Sequence, residues 1–469
     1  MNRNHILIAA VAMAAANIAC AEPASMLPAS NPFAKPSTLP FNYPAFDKIK
    51  NEDYAPAFAE GMRIHEAEIE AIANNKAAPT FDNTIVAMER SGQLLNRVST
   101  VFGNLSGANT NDTLQALDKE LAPKLSAHSD KIRLNAKLYA RVKALYDKRD
   151  KLNLDAESKY LLERYHTDFV RAGAKLSEAD KAKLKDYNGQ LAALQTTFSQ
   201  NVLKEANASA LVVDTREELA GMSAKAIDAA ALEAKKRGLD GKFVIPVVNT
   251  TQQAPLSVLT NRATREKLLA KSLARGSHGG EYDNREVVLK LAKLRAERAK
   301  LLGYPNHAAY NLDDQTAKTT GAVNKLLAEF AKPAVRNAQK EAAEIQKVID
   351  AENGGFQVAA HDWNFYSDKV RAAKYAFDQG QLRPYFEINS VLLNGVFFAA
   401  NKEYGISFKE RKDLPVYDPD VRVFDVFNED GSQLAIFLFD PYARSNKRGG
   451  AWMNAYVGQN KLLGTKPVI

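Results

Sequence analysis

From Asn51 to about Tyr404 the apolar residues return every three or four positions, a period that suits helix and leaves little room for sheet. Tyr54, Phe58, Met62 and Ile69 share one face of a first helix, which should end before Pro79. Ile85, Met88, Leu95, Val98 and Phe102 line a second stretch that opens at Asp82. Further helices are expected over 114–128, 136–147 and 156–172. Ser177 and Asp180 have capping-box spacing and open a long helix striped by Leu184, Tyr187, Leu191, Leu194, Phe198 and Val202. Two short apolar runs interrupt, 211–214 and 243–248. The second is broken by Pro246 and so confined to an edge or a bulge. Helix is expected between them over 225–237, and again over 261–272, 283–302, 321–349, 367–377 and 388–404, with Pro333 kinking the one over 321–349. Stripes of this kind face a core, so the chain should be mainly α, a multi-helix shell.

At Val421 the period drops to two. VRVFDVF and QLAIFLFD flank a turn at Asn428-Glu429-Asp430-Gly431, which reads as an antiparallel hairpin near the C-terminus. A basic loop follows, Lys447-Arg448-Gly449-Gly450, and then Ala451-Trp452-Met453 opens what reads as a further strand. Paired glycines let a backbone approach a ligand closely because no Cβ intervenes. On residue types alone an ordinary surface turn is the simpler reading of that loop.

The net charge of +8 invites a nucleic-acid partner, but Lys and Glu interleave along helices, as in KLAKLRAERAKLLG. That pattern is a solvated helix face, and nucleic acid is set aside. The start reads as an export signal over 1–21, with Arg3, an apolar stretch from Ile6 to Ala16 and a small-residue site at Ala19-Cys20-Ala21. The apolar stretch is too short to span a membrane. Cleavage before Glu22 would send the protein to a bacterial periplasm without its single cysteine. The alternative is a lipoprotein acylated at Cys20, against which stands Asn17 where such signals carry leucine. Residues 22–50, rich in Pro, Ser and Ala, read as a loose leader.

The run YAR-x-x-KRGGAW followed by LLGTKPV resembles thimet-oligopeptidase-like zinc metallopeptidases, in particular their peptidyl-dipeptidase (dipeptidyl carboxypeptidase) branch. The likeness extends over nearly the whole chain. It includes PTFDNTIVAMERSGQLL, VVNTTQQ, LRAERAKLLGYPNHAAYNL, DWNFYSDKVRAAKYAFD and YDPDVRVF, although His361 stands where relatives carry Pro-Trp before the aspartate. The resemblance implies a clam-like zincin fold, a zinc cofactor and a monomer that cuts short peptides in a deep channel, releasing C-terminal dipeptides. It implies that 51–420 line that channel and that 421–469 begin the catalytic region. Gly449, Gly450, Ala451 and Trp452 would border the substrate backbone.

The family's zinc helix carries H-E-x-x-H, which supplies two ligands one turn apart and a base beside them. None of the seven histidines begins such a motif: His65-Glu66 starts one, but its fifth position is Ile69. No histidine has another within a helical turn, and His278, in Gly276-Ser277-His278-Gly279-Gly280, reads as part of a flexible loop. No nucleophile elbow, phosphate loop or dinucleotide fingerprint is present. No catalytic residue and no metal ligand is therefore assigned, and the zinc motif is expected beyond Ile469. Two readings stand: the N-terminal portion of a peptidase, inactive alone and leaving apolar surface uncovered, or a non-catalytic helical remnant that binds peptides.

Overall fold

The computed structural model describes residues 25–247, 253–376 and 379–469. The export signal, Cys20 and most of VVNTTQQ lie outside them. Helices dominate in the order expected: α1 (Asn51–Ala73), α2 (Ala87–Arg90), α3 (Gln93–Ala108), α4 (Asp112–Arg133), α5 (Ala136–Tyr146), α6 (Ala156–Arg171) and α7 (Glu178–Ala208). Two three-residue strands, β1 (Leu211–Val213) and β2 (Phe243–Ile245), pair antiparallel around α8 (Ala224–Lys236), and Pro246 lies just beyond the second. Then come α9 (Arg262–Leu273), α10 (Arg285–Leu301), α11 (His307–Leu312), α12 (Thr320–Ala351) and α13 (Trp363–Tyr375). No helix among the described residues is long and apolar enough to cross a membrane.

Local chemistry sets the boundaries. Ser177 Oγ accepts from Asp180 N at 3.1 Å and opens α7 as its sequence demands. The stretch expected to run unbroken from Asp82 is cut at Ser91-Gly92, because Gly92 turns the chain with φ +71°. A Cβ there would stand 3.0 Å from the His65 ring, so both the backbone and the contact call for glycine. Gly92→Ala is expected to lower stability by about 1–2 kcal/mol, read as a lower urea midpoint at unchanged slope.

Residues 25–50 are not loose. Phe33 and Tyr43 are buried, Phe33 against Tyr54 of α1 and Tyr43 against the C-terminal sheet, where its hydroxyl donates to Pro415 O at 2.9 Å. Asn31 fixes the approach, accepting from Phe33 N and donating to Asp53 O. Proline- and serine-rich composition concealed two aromatic anchors.

The C-terminal sheet has three antiparallel strands, β3 (Ser407–Arg411), β4 (Arg422–Phe427) and β5 (Gln433–Phe439), with β4 central. The hairpin forms as its pattern requires, and Gly431 takes φ +78° in the turn. Strand β3 was not anticipated: SFKER carries one apolar residue among charges, the composition of a protected edge. Val423, Phe424 and Val426 of β4 are buried, and Phe424 meets Phe397 edge-on at 5.0 Å.

Pro333 sits within α12, whose helix continues across it from Thr320 to Ala351. Only Ile345 and Ile349 of that helix are buried. Leu326, Leu327, Phe330 and Val335 are each more than half exposed.

Candidate functional site

Beyond Phe439 the chain folds back over the C-terminal end of α3, where the last helical carbonyls lack intrahelical partners. Gly107 O accepts from Arg448 N at 2.8 Å, and Ala108 O accepts from Arg444 Nη2 at 2.7 Å. A cation at that end also complements the helix dipole. Asparagine amides fasten the rest. Asn446 Nδ2 donates to Asn109 Oδ1 at 2.7 Å, and Asn109 Nδ2 to Tyr417 O at 2.7 Å. Asn104 Nδ2 donates to Ala455 O at 3.1 Å, and Asn207 of α7 reaches Ser445 O at 2.8 Å.

Asp440 is the hub of this loop. It takes both terminal nitrogens of Arg444 at 2.7 and 2.8 Å, Lys447 Nζ at 2.9 Å and the Tyr417 hydroxyl at 2.9 Å. Burial would raise its pKa, but the bonds from Arg444, Lys447 and Tyr417 outweigh that and hold the carboxyl below its usual range. Burial, reinforced by the carboxylate of Asp440, pushes the Tyr417 phenol up, so it stays a neutral donor.

The loop roofs a cavity of about 730 Å³. Gly449, Gly450, Ala451 and Trp452, singled out from the sequence, all line it, together with Asn104, Tyr417 and Phe437. Gly450 has φ +95°, and a Cβ on it would meet nothing within 4 Å. The strand anticipated after Gly449 does not form. The free edge of β5 is already occupied: Ile436 N donates to Pro467 O at 3.0 Å, Ile469 N to Ile436 O at 2.9 Å and Leu438 N to Ile469 O at 2.7 Å. Among the described residues, the backbone N–H groups from Gly449 to Ala455 therefore donate to no protein acceptor. Asp440, Tyr417, Arg444, Lys447 and Arg448 complete the site. Their residue types alone assign them no role, because only the fold gathers them around Asp440 and onto the end of α3.

Other clusters offer less. A second cavity of about 630 Å³ lies between α7 and α10, but its polar groups are engaged within the protein, Asn284 with Phe198 O and Arg285 with Asp283. His278 does not sit in a free loop: its Nδ1 is hydrogen-bonded to Glu205, which also accepts from Ser209 Oγ at 2.5 Å. Two histidines from different helices do meet, which local spacing could not reveal. His128 Nε2 lies 3.0 Å from His65 Nδ1, and His128 Nδ1 lies 3.2 Å from Glu66 Oε1. Burial, and then the charge of His128, push His65 down to about 4, so it is neutral near pH 7. Zinc, which the family likeness implies, does not fit this pair: both ring nitrogens of His128 are turned to protein partners, one to the other imidazole and one to the carboxylate. Among the described residues no group of three or more His, Cys, Asp or Glu could hold a metal ion.

Residues 256–469 match the model of Peptidase family M3. The chain is 47% identical over 440 residues to dipeptidyl carboxypeptidase of Salmonella typhimurium, covering 94% of this chain and 65% of the relative. It is 47% identical to the Escherichia coli dipeptidyl carboxypeptidase, covering 94% of this chain and 64% of that one. Oligopeptidase A of Escherichia coli is 30% identical across 90% of this chain and 63% of its own length. The chain thus spans just under two thirds of the length of these relatives. The glycine loop and the hairpin that carries it fall within the region that matches Peptidase family M3, and over 94% of its length the chain is similar in sequence to dipeptidyl carboxypeptidases.

Proposed function

We propose that this chain holds the peptide for a zinc-dependent oligopeptidase that releases C-terminal dipeptides, and that the groove roofed by Gly449, Gly450, Ala451 and Trp452 is where the peptide backbone lies. The carrying observation is the row of unpartnered main-chain N–H groups along a cavity of about 730 Å³. An extended peptide can pair with such a row as an added strand, which gives affinity with little regard for side chains. The names of the M3 relatives supply the reaction. Zinc, when bound, polarises a scissile carbonyl and activates water. The described residues do not supply its ligands, so no step through it is assigned to them. Their part is to bind and orient: Asp440 fixes Arg444 and Lys447, and these hold the loop over the groove. The chain by itself is proposed to bind peptides without cutting them.

Titration of the 469-residue chain with N-acetyl-tetra-alanine, followed by calorimetry and by chromatography for released dialanine, tests both halves. Saturable binding without release is expected. Absence of binding would remove the groove reading, and release of dialanine by the chain alone would remove the claim of inactivity.

Export is proposed as well, on the Arg3, apolar core and Ala-Cys-Ala arrangement. N-terminal sequencing of protein recovered from a periplasmic fraction should begin at Glu22. A lipid-modified Cys20 at the mature terminus would instead make the protein a membrane-tethered lipoprotein.

A further inference from the structure

The cations around the groove are not equivalent. Arg444 is committed to Asp440 and Ala108 O, and lies 3.3 Å from Asp418. Lys447 is committed to Asp440 and to the carbonyls of Asp440 and Tyr442. Arg448 differs: its backbone N–H anchors the loop on Gly107, while its guanidinium lies over the Trp452 ring at 4.5 Å. Among the described residues that guanidinium has no carboxylate and no carbonyl partner, and the side chain is exposed at the rim of the cavity. The Asp440 carboxylate is already shared by two cations and a phenol.

The geometry points to Arg448 as a specificity-determining residue that takes a carboxylate of the bound peptide, an inference that rests on the peptide-groove reading above. A guanidinium held over an indole face without a protein acceptor keeps N–H donors free, and its planar fork matches the two oxygens of a carboxylate. Stacking also restricts the side chain before the ligand arrives, so less rotamer freedom is lost on binding. Its neighbours in sequence, Gly449 and Gly450, open the unpartnered main-chain row. The same peptide can therefore pair along the row and place one carboxylate on the fork. That carboxylate is either the peptide's C-terminus or an Asp or Glu side chain.

Three probes separate the sources: N-acetyl-tetra-alanine as the free acid, its C-terminal amide, and the amide with one alanine changed to glutamate. Each is titrated against the 469-residue chain and against its Arg448→Gln and Arg448→Lys variants, with melting temperatures measured in parallel. The wild-type chain is expected to bind at least one carboxylate-bearing probe about 10-fold more tightly than the plain amide, a difference of ~1.4 kcal/mol. Preference for the free acid assigns the terminus, and preference for the glutamate amide assigns a side chain. Arg448→Gln should abolish the preference, bringing all three probes to one affinity, with the melting temperature in place. Arg448→Lys should keep only part of it, since the charge remains and the fork does not. Equal wild-type affinity for all three probes, or a preference that survives Arg448→Gln, overturns the assignment while the groove reading stands. Binding of none of the three overturns the groove reading and this inference with it.

Discussion

Replacing Asp362 with alanine is expected to destabilise the fold by about 3–5 kcal/mol, well beyond the cost of Gly92→Ala. Asp362 is fully buried at the start of α13 and holds two arginines of α9. Arg262 donates to it at 2.9 and 3.0 Å, and Arg265 at 2.9 Å. Arg265 is itself only 1% exposed, with its guanidinium over the Phe365 ring at 4.3 Å. Without Asp362 that buried cation keeps carbonyl partners, Leu259 O and His361 O, but no counter-charge. Urea unfolding of the two proteins near neutral pH measures the loss. A loss below about 1 kcal/mol would mean that the pair contributes no more than a surface ion pair. The pH dependence gives a second check. Burial alone would raise the Asp362 pKa, but the bonds from Arg262 and Arg265 prevail and hold it below the usual carboxylate range. A carboxyl depressed on folding contributes its full stability above its unfolded pKa, about 3.9. That contribution is lost as pH falls through the lower folded value. The gap between wild type and variant should therefore be constant near neutrality and narrow only in acid, below about pH 4.

The second large effect is on the groove. Gly450→Val should weaken peptide binding by about 10-fold or more, ~1.4 kcal/mol at least. Two causes combine. A φ of +95° lies in territory that a β-branched residue occupies only under strain. The new side chain would also project from the main-chain row that the peptide is proposed to pair with. A Cβ at Gly450 meets no protein atom within 4 Å, so Gly450→Ala separates the two causes by adding the backbone restriction with less bulk. The backbone strain should lower the melting temperature modestly, as at Gly92, but the loop is anchored through Arg444, Asn446 and Arg448 on one side and Ala455 on the other, so the chain should stay folded. Full affinity in the variant, or loss of affinity only through unfolding, would remove Gly450 from the site.

The helical shell was legible because period 3.6 is a local property, and Ser177 with Asp180 announced its longest early helix. The hairpin was legible for the same reason at period two, with Gly431 marking the turn. What escaped notice depended on distant partners. Phe33 and Tyr43 looked like parts of a leader until the surfaces they fill, on α1 and behind β4, were in place. The strand expected after Gly449 failed because the neighbouring edge is taken by Pro467 to Ile469, a competition that no short window of sequence displays. The glycine loop could be singled out from its residue types and family likeness, whereas Asp440 could not. Its importance lies in gathering Tyr417, Arg444 and Lys447 around one carboxylate, and only the fold brings them there.

The anchoring of the loop bears on how such a groove can diversify. Arg448 and Ala455 are held through their main-chain atoms, and so is Ser445, while Tyr442, Ala443 and Met453 are exposed. Mutations at those three positions can alter the groove's lining without touching the bonds that place it. A lineage could in this way drift from one peptide diet to another by single substitutions, with the loop's position inherited unchanged.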